Sequence, residues 1–183
     1  MTHTVPPRPT GSSGPTTPTA PTATRQLVLA DETATAALAA RLAAALEPGM
    51  VLWLSGGLGA GKTTLVRGVL RALGHTGKVR SPTFTLLEPY NLVRFPVYHF
   101  DFYRFSSADE WRDAGFDEYF RGAGACLVEW PELAGPDLPR ADLAIRLGFA
   151  DDDAERTGDA RIAQLDAFGD AGLRCLNAAA AAS

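Results

Sequence analysis

Between Ser55 and Thr64 the chain reads Ser-Gly-Gly-Leu-Gly-Ala-Gly-Lys-Thr-Thr. Gly56, Gly61, Lys62 and Thr63 stand at the spacing of a phosphate-binding loop: a glycine, four residues, then Gly-Lys-Thr. The glycines allow backbone turns that a Cβ would obstruct. The N–H groups of Gly57, Leu58, Gly59, Ala60, Gly61, Lys62, Thr63 and Thr64 can then converge on phosphate oxygens. Lys62 reaches the β- and γ-phosphates as a mobile charge, and Thr63 offers a hydroxyl to Mg²⁺. A helix opening at Lys62 turns the positive end of its dipole toward the same anion. This is chemistry for holding ATP with Mg²⁺.

Phosphate capture is not hydrolysis. A carboxylate must help to hold the metal, directly or through water, and another group must position the attacking water. Glu129 follows the apolar run Ala125–Val128, so it is expected at the carboxyl end of a buried strand, where ligands gather in open α/β sheets. Asp101 lies in Val97-Tyr98-His99-Phe100-Asp101-Phe102-Tyr103-Arg104. Strand alternation puts Val97, His99, Asp101 and Tyr103 on one face. A carboxylate among aromatic rings needs a partner, and Mg²⁺, a positioned water or Arg104 would each serve. His99 reads as a packed strand histidine rather than a ligand.

The elements that position these groups follow from punctuation and periodicity. Gln26–Leu29 is a strand candidate. Asp31 caps a helix carrying Leu38, Leu42 and Leu46, which Pro48-Gly49 ends. Met50–Leu54 is short enough for a buried strand leading into the loop. From Lys62 to Leu73, the residues Leu65, Val66, Val69, Leu70 and Leu73 share one helical face before Gly74. Phe84–Tyr90 and Pro96–Phe102 suggest a hairpin through Asn91. Ser107 and Glu110 form a capping box for a helix up to Gly115. Asp142–Phe149 and Arg161–Ala167 read as strands, and Ala171–Asn177 as a last helix. Mixed in this order, the elements imply an α/β fold: a three-layer P-loop NTPase-like sandwich around a central mixed sheet.

Composition bounds the rest. The 183 residues suffice for one domain. It is expected over residues 25–177, behind a disordered Thr/Pro-rich tail at 1–24 and before an Ala-rich tail at 178–183. A net charge of −4 is no electrostatic attractant for nucleic acid. No apolar run approaches the roughly 20 residues of a membrane span, and no secretory signal is visible. Cys126 and Cys175 read as reduced, partly buried thiols. A cytoplasmic location is expected.

Four segments together carry a more specific likeness: GGLGAGKTTLVRG at Gly56–Gly68, SPTFTLLEPY at Ser81–Tyr90, YHFDFYR at Tyr98–Arg104 and CLVEWPE at Cys126–Glu132. With them the chain resembles the TsaE (YjeE) family, the ATPase of bacterial tRNA threonylcarbamoyladenosine synthesis. The resemblance implies a protein that binds ATP, docks on a complex of TsaB and TsaD, and supports its turnover by hydrolysis. That complex installs threonylcarbamoyl on the adenosine 3′ of the anticodon, in tRNAs reading codons that begin with A. The likeness implies that tRNA is met only through the complex, and that this chain is not itself the transferase. It further implies Thr63 and Glu129 as Mg²⁺ ligands and Asp101 as organiser of the metal or the water. Lys62, Asp101 and Glu129 become the catalytic set. The Ser81-Pro82-Thr83 loop resembles a nucleotide-sensing switch, Trp130 belongs to the site or to the partner contact, and Glu32 and Arg156 are implied near the adenine. Gly57 departs from the family, standing where many relatives carry an acid.

Two other readings share the loop. A small-molecule or nucleotide kinase would need an Arg-rich lid, and none is apparent. A non-hydrolysing ATP-dependent switch could keep the same acids. A GTPase is disfavoured, because no Asn-Lys-x-Asp guanine signature occurs.

Overall fold

A computed structural model describes residues 20–150 and 160–181 of the chain. Strand β1 (Ala23–Leu29) begins three residues before the expected Gln26. Helix α1 (Glu32–Ala45) follows, and the Asp31 carboxylate accepts the Ala34 N–H at 2.7 Å as its cap. Leu38, Leu42 and Leu46 are fully buried, as their spacing requires. Beyond the helix end, Arg94 donates to the carbonyls of Ala43 and Leu46, which have no intrahelical partner. Strand β2 (Val51–Ser55) then leads through the glycine loop into helix α2 (Lys62–Ala72).

Strands β3 (Leu87–Asn91) and β4 (Pro96–Asp101) form the expected antiparallel hairpin. However, β3 starts three residues after the expected Phe84. Residues 82–86 make a turn instead, closed by the Leu86 N–H on the Pro82 carbonyl, with Leu86 at φ 64°. A bulky residue in the left-handed region cannot continue a strand. The helix expected from Ser107 is a single turn, α3 (Glu110–Asp113). Glu110 reaches back to the Ser106 and Ser107 N–H groups and Ser107 Oγ accepts from Asp109, but the helix starts only after Asp109, without a side-chain cap, and Gly115 soon ends it. A second single turn, α4 (Asp117–Phe120), is too short for any apolar period to announce it.

After β5 (Ala125–Glu129) come a 3₁₀ turn (Pro131–Ala134), β6 (Leu143–Phe149), β7 (Arg161–Ala167) and α5 (Gly169–Ala180). Asp142 lies just outside β6, because its carboxylate accepts the Val51 N–H at 2.9 Å and ties the two strand starts together. The alanine run continues α5 as a helix end through Ala180, past the expected domain bound at 177, and Ala179 is buried. Ala23 and Thr24, expected in the amino-terminal tail, pair with Ala167 and Asp166 of β7.

One seven-stranded sheet, in the order β1-β7-β6-β2-β5-β4-β3, organises the chain. Strand β2 runs parallel to both β5 and β6, and β5 parallel to β4, while β1, β3 and β7 pair antiparallel. The central sheet is therefore mixed, as expected. One face buries Leu52, Leu54, Leu127, Leu143, Ile145 and Leu165 with α1, α2 and α5. The other packs Val51, Phe100, Cys126 and Val128 against Phe102, Phe105, Trp111 and the short turns. Its rings stack closely, with Phe100 on Phe120 at 5.1 Å and Phe102 on Phe105 at 4.5 Å. Among the described residues, no helix is long and apolar enough to cross a membrane.

Candidate functional site

The sheet brings three chain segments to one place. The glycine loop leaves the central strand β2, and β5 and β4 run parallel beside it, so Glu129 and Asp101 end adjacent strands at the loop's edge. Gly56 leaves β2 at φ 133°, and a Cβ there would stand 2.1 Å from the Leu147 carbonyl oxygen. Only a residue without a side chain lets the loop pass so close to β6. Gly61, at φ 104°, turns the chain into α2 from the left-handed region.

Lys62 is buried, with 5% of its surface exposed. Its Nζ donates to the carbonyls of Gly56 at 2.7 Å and Gly57 at 2.9 Å, and lies 3.8 Å from the centre of the Trp130 ring. Burial pulls its ammonium below the usual lysine range, while the carboxylates of Glu129, Glu132 and Asp101 pull the other way. Among the described residues no carboxylate is in ion-pair contact with this cation. A phosphate would supply that contact.

Thr63 Oγ1 donates to Glu129, 2.9 Å from Oε1 and 3.1 Å from Oε2. A hydroxyl whose single proton is engaged by a carboxylate keeps its lone pairs for a cation. Two oxygen-bearing groups, one anionic, suit Mg²⁺, which binds through one or two protein groups and keeps several waters. Glu129 itself is 2% exposed, and His99 Nε2 donates to its Oε1 at 2.8 Å. His99 is thus the packed strand histidine that was expected, but its polar contact is with Glu129.

Asp101 is also buried, and its partners differ from those the sequence suggested. Its Oδ2 accepts the hydroxyls of Ser81 and Thr83, the latter at 2.7 Å, and its Oδ1 accepts the Tyr103 N–H at 3.0 Å. Arg104 is not its counter-ion, because that guanidinium stacks 4.1 Å over the exposed Phe84 ring. Tyr103 does not share the strand face, since β4 stops at Asp101. Its ring packs 5.0 Å from Trp130 instead.

Trp130 takes φ 57° and ψ 48° directly after Glu129. The left-handed conformation is an outlier for so bulky a residue. It is held by its N–H on the Leu54 carbonyl, by Tyr103 and by the Lys62 cation. No spacing rule forecasts such a backbone, although Glu-Trp-Pro at a strand end marks where the chain must turn. Glu32 opens α1 with an exposed side chain and takes no part in these contacts. Arg156 lies outside the described residues.

Comparison with known proteins identifies the family. The family model described as "Threonylcarbamoyl adenosine biosynthesis protein TsaE" matches residues 29–157. The "tRNA threonylcarbamoyladenosine biosynthesis protein TsaE" of Bacillus subtilis (strain 168) is 50% identical over 119 residues, 65% of this chain and 74% of that protein. The protein of that name from Haemophilus influenzae is 44% identical over 106 residues, 58% of this chain and 67% of its relative. Among solved structures, "Crystal structure of Bacillus subtilus YdiB" superposes with a TM-score of 0.70 at 37% identity, over 85% of this chain and 94% of that one. The matched stretch holds the glycine loop, the Ser81–Thr83 turn and both strand-end acids, and on that extent of agreement the chain belongs to the TsaE family.

Proposed function

We propose that the protein is a Mg²⁺-dependent ATPase that serves tRNA threonylcarbamoyladenosine biosynthesis by docking on a TsaB–TsaD complex. The observation that carries this reading is the junction of Lys62 with the Thr63–Glu129 pair at the mouth of β2. A loop built only to bind phosphate would not need a buried carboxylate on the metal threonine.

ATP enters with its phosphates against the N–H groups of Gly57 to Thr64 and the amino end of α2. Lys62 exchanges two neutral carbonyls for β- and γ-phosphate oxygens, where its charge is better compensated. A bound Mg²⁺ would supply positive charge against that developing on the phosphates as the terminal phosphoryl group leaves. Thr63 and Glu129 would hold it, Thr63 by its oxygen and Glu129 directly or through a water. Asp101 fastens the Ser81–Thr83 turn beside this cluster, and its carboxylate orients the attacking water from there. Glu32 and Arg156 are assigned to the adenine side.

No arginine is hydrogen-bonded into the cluster among the described residues, although transition-state charge in such reactions is often met by one. Weak intrinsic hydrolysis that rises with TsaB–TsaD follows, with a cytoplasmic location and with tRNA met only through the complex. Phosphate release with and without the complex tests the reading. Transfer of phosphate to an added small molecule would favour a kinase, and binding with no release under any condition would favour a switch.

A further inference from the structure

His99 is fully buried on the α2 side of β4, with Val97 and Leu127 in the same apolar layer. An imidazole there is costly, because burying a polar ring without its hydrogen bonds opposes folding. Its Nδ1 has no hydrogen-bond partner among the described residues, and its single polar contact runs from Nε2 to Glu129 Oε1 at 2.8 Å. A histidine kept only for packing would be replaced at lower cost by an aliphatic residue of similar volume. Glu129 explains what the aliphatic residue would lack.

We propose that His99 is a positioning residue for the magnesium site, acting through Glu129; this rests on the Mg·ATP reading above. The carboxylate torsion of a glutamate is broad and roughly two-fold, so rotamer preference alone does not choose which oxygen faces the nucleotide. Thr63 does not choose either, since its hydroxyl straddles both oxygens at 2.9 and 3.1 Å. The Nε2–H of His99 does: it binds Oε1 alone, toward β4, and leaves the less engaged Oε2 for the metal or its water. An acceptor-only carboxylate requires the proton on Nε2, so the bare Nδ1 is the accompanying cost.

The test is equilibrium binding of a non-hydrolysable ATP analogue to the full chain, first in EDTA and then across a Mg²⁺ titration. His99→Gln can place an amide N–H near the position of Nε2, whereas the shorter His99→Asn cannot. The expected result is an unchanged affinity in EDTA for both variants. The Mg²⁺ half-point rises by about tenfold or more in the Asn variant, the usual effect of losing an outer-shell partner, and stays close to wild type in the Gln variant. His99→Leu is expected to behave as the Asn variant, and if it does not fold the Gln/Asn pair decides. Equal Mg²⁺ half-points for Gln and Asn would overturn the inference. So would a loss of affinity in EDTA as large as that in Mg²⁺, which marks a general structural role. A wild-type chain that binds the analogue equally in EDTA and Mg²⁺ would remove the Mg·ATP reading itself, and that outcome is visible before any variant is compared.

Discussion

Asp101 and Glu129 are register partners on the parallel strands β4 and β5, yet their carboxylates hold different neighbours. Glu129 is engaged by Thr63 at the foot of the phosphate loop, and Asp101 by Ser81 and Thr83 of the turn before β3. Two acids side by side in a parallel sheet thus connect the nucleotide loop on one side to a separate surface turn on the other.

Glu129→Ala separates binding from turnover. The phosphate loop and Lys62 are untouched, so nucleotide affinity in EDTA is expected to persist. Mg²⁺-stimulated hydrolysis is expected to fall on the order of a hundredfold, the scale seen when one preorganised electrostatic group is removed. Normal hydrolysis by this variant would assign the metal acid elsewhere.

Asp101→Asn replaces an acceptor-only group by one whose amide nitrogen must face either the two hydroxyls or the Tyr103 N–H, and can accept from neither. The turn closed by the Leu86 N–H on the Pro82 carbonyl is expected to loosen, with amide exchange across residues 83–86 faster by about tenfold, for a charged hydrogen bond weakened by ~1.5 kcal/mol. Hydrolysis is expected to drop while binding in EDTA stays. Ser81→Ala combined with Thr83→Val is expected to reproduce the exchange change. Unaltered exchange in both variants would show that Asp101 does not hold the turn.

Gly56→Ala tests the passage of the loop past β6. A Cβ at 2.1 Å from the Leu147 carbonyl oxygen cannot be accommodated by a side-chain shift, because the obstacle is backbone. A loss of about 2–3 kcal/mol in urea unfolding is expected, with weakened nucleotide binding. A variant as stable as the parent would mean that the loop has another route.

The sequence made much of this legible, and the places where it did not are physical. The strand, glycine loop and amphipathic helix from Met50 to Leu73 are a local pattern, so period and spacing disclosed them. Glu129 was placed by the rule that ligands meet strand ends. The partners of Asp101 could not be read, because Ser81 and Thr83 reach it only after the turn at Leu86 folds β3 back along β4. The aromatic layer around Phe100 and Trp111 hangs on single-turn helices, whose few residues cannot display a repeat. The His99–Glu129 contact had a signal in the alternation of Val97, His99 and Asp101, but its partner lies on another strand.

The thiols supply a pH test. Burial pushes Cys126 up to about 12 and Cys175 up to about 11. The folded chain therefore holds these protons more tightly than the unfolded one, whose ordinary value is 9.0. The stability this contributes is complete below pH 9.0 and is lost as pH climbs toward about 11–12. The urea midpoint is expected to fall across that window, and to fall less when both cysteines are alanine. Rapid labelling of the native thiols in mildly alkaline buffer would contradict the burial.

The most direct measurement is phosphate release from ATP by the wild-type chain and Lys62→Ala, each with Mg²⁺, with EDTA, and with the TsaB–TsaD complex. Losing the Lys62 contact to phosphate is expected to weaken ATP binding by about a hundredfold, or ~3 kcal/mol. The predicted result is slow Mg²⁺-dependent release by the wild type, a clear rise with TsaB–TsaD, and none from Lys62→Ala under any condition. Release that ignores the complex, or that survives Lys62→Ala, would contradict the account.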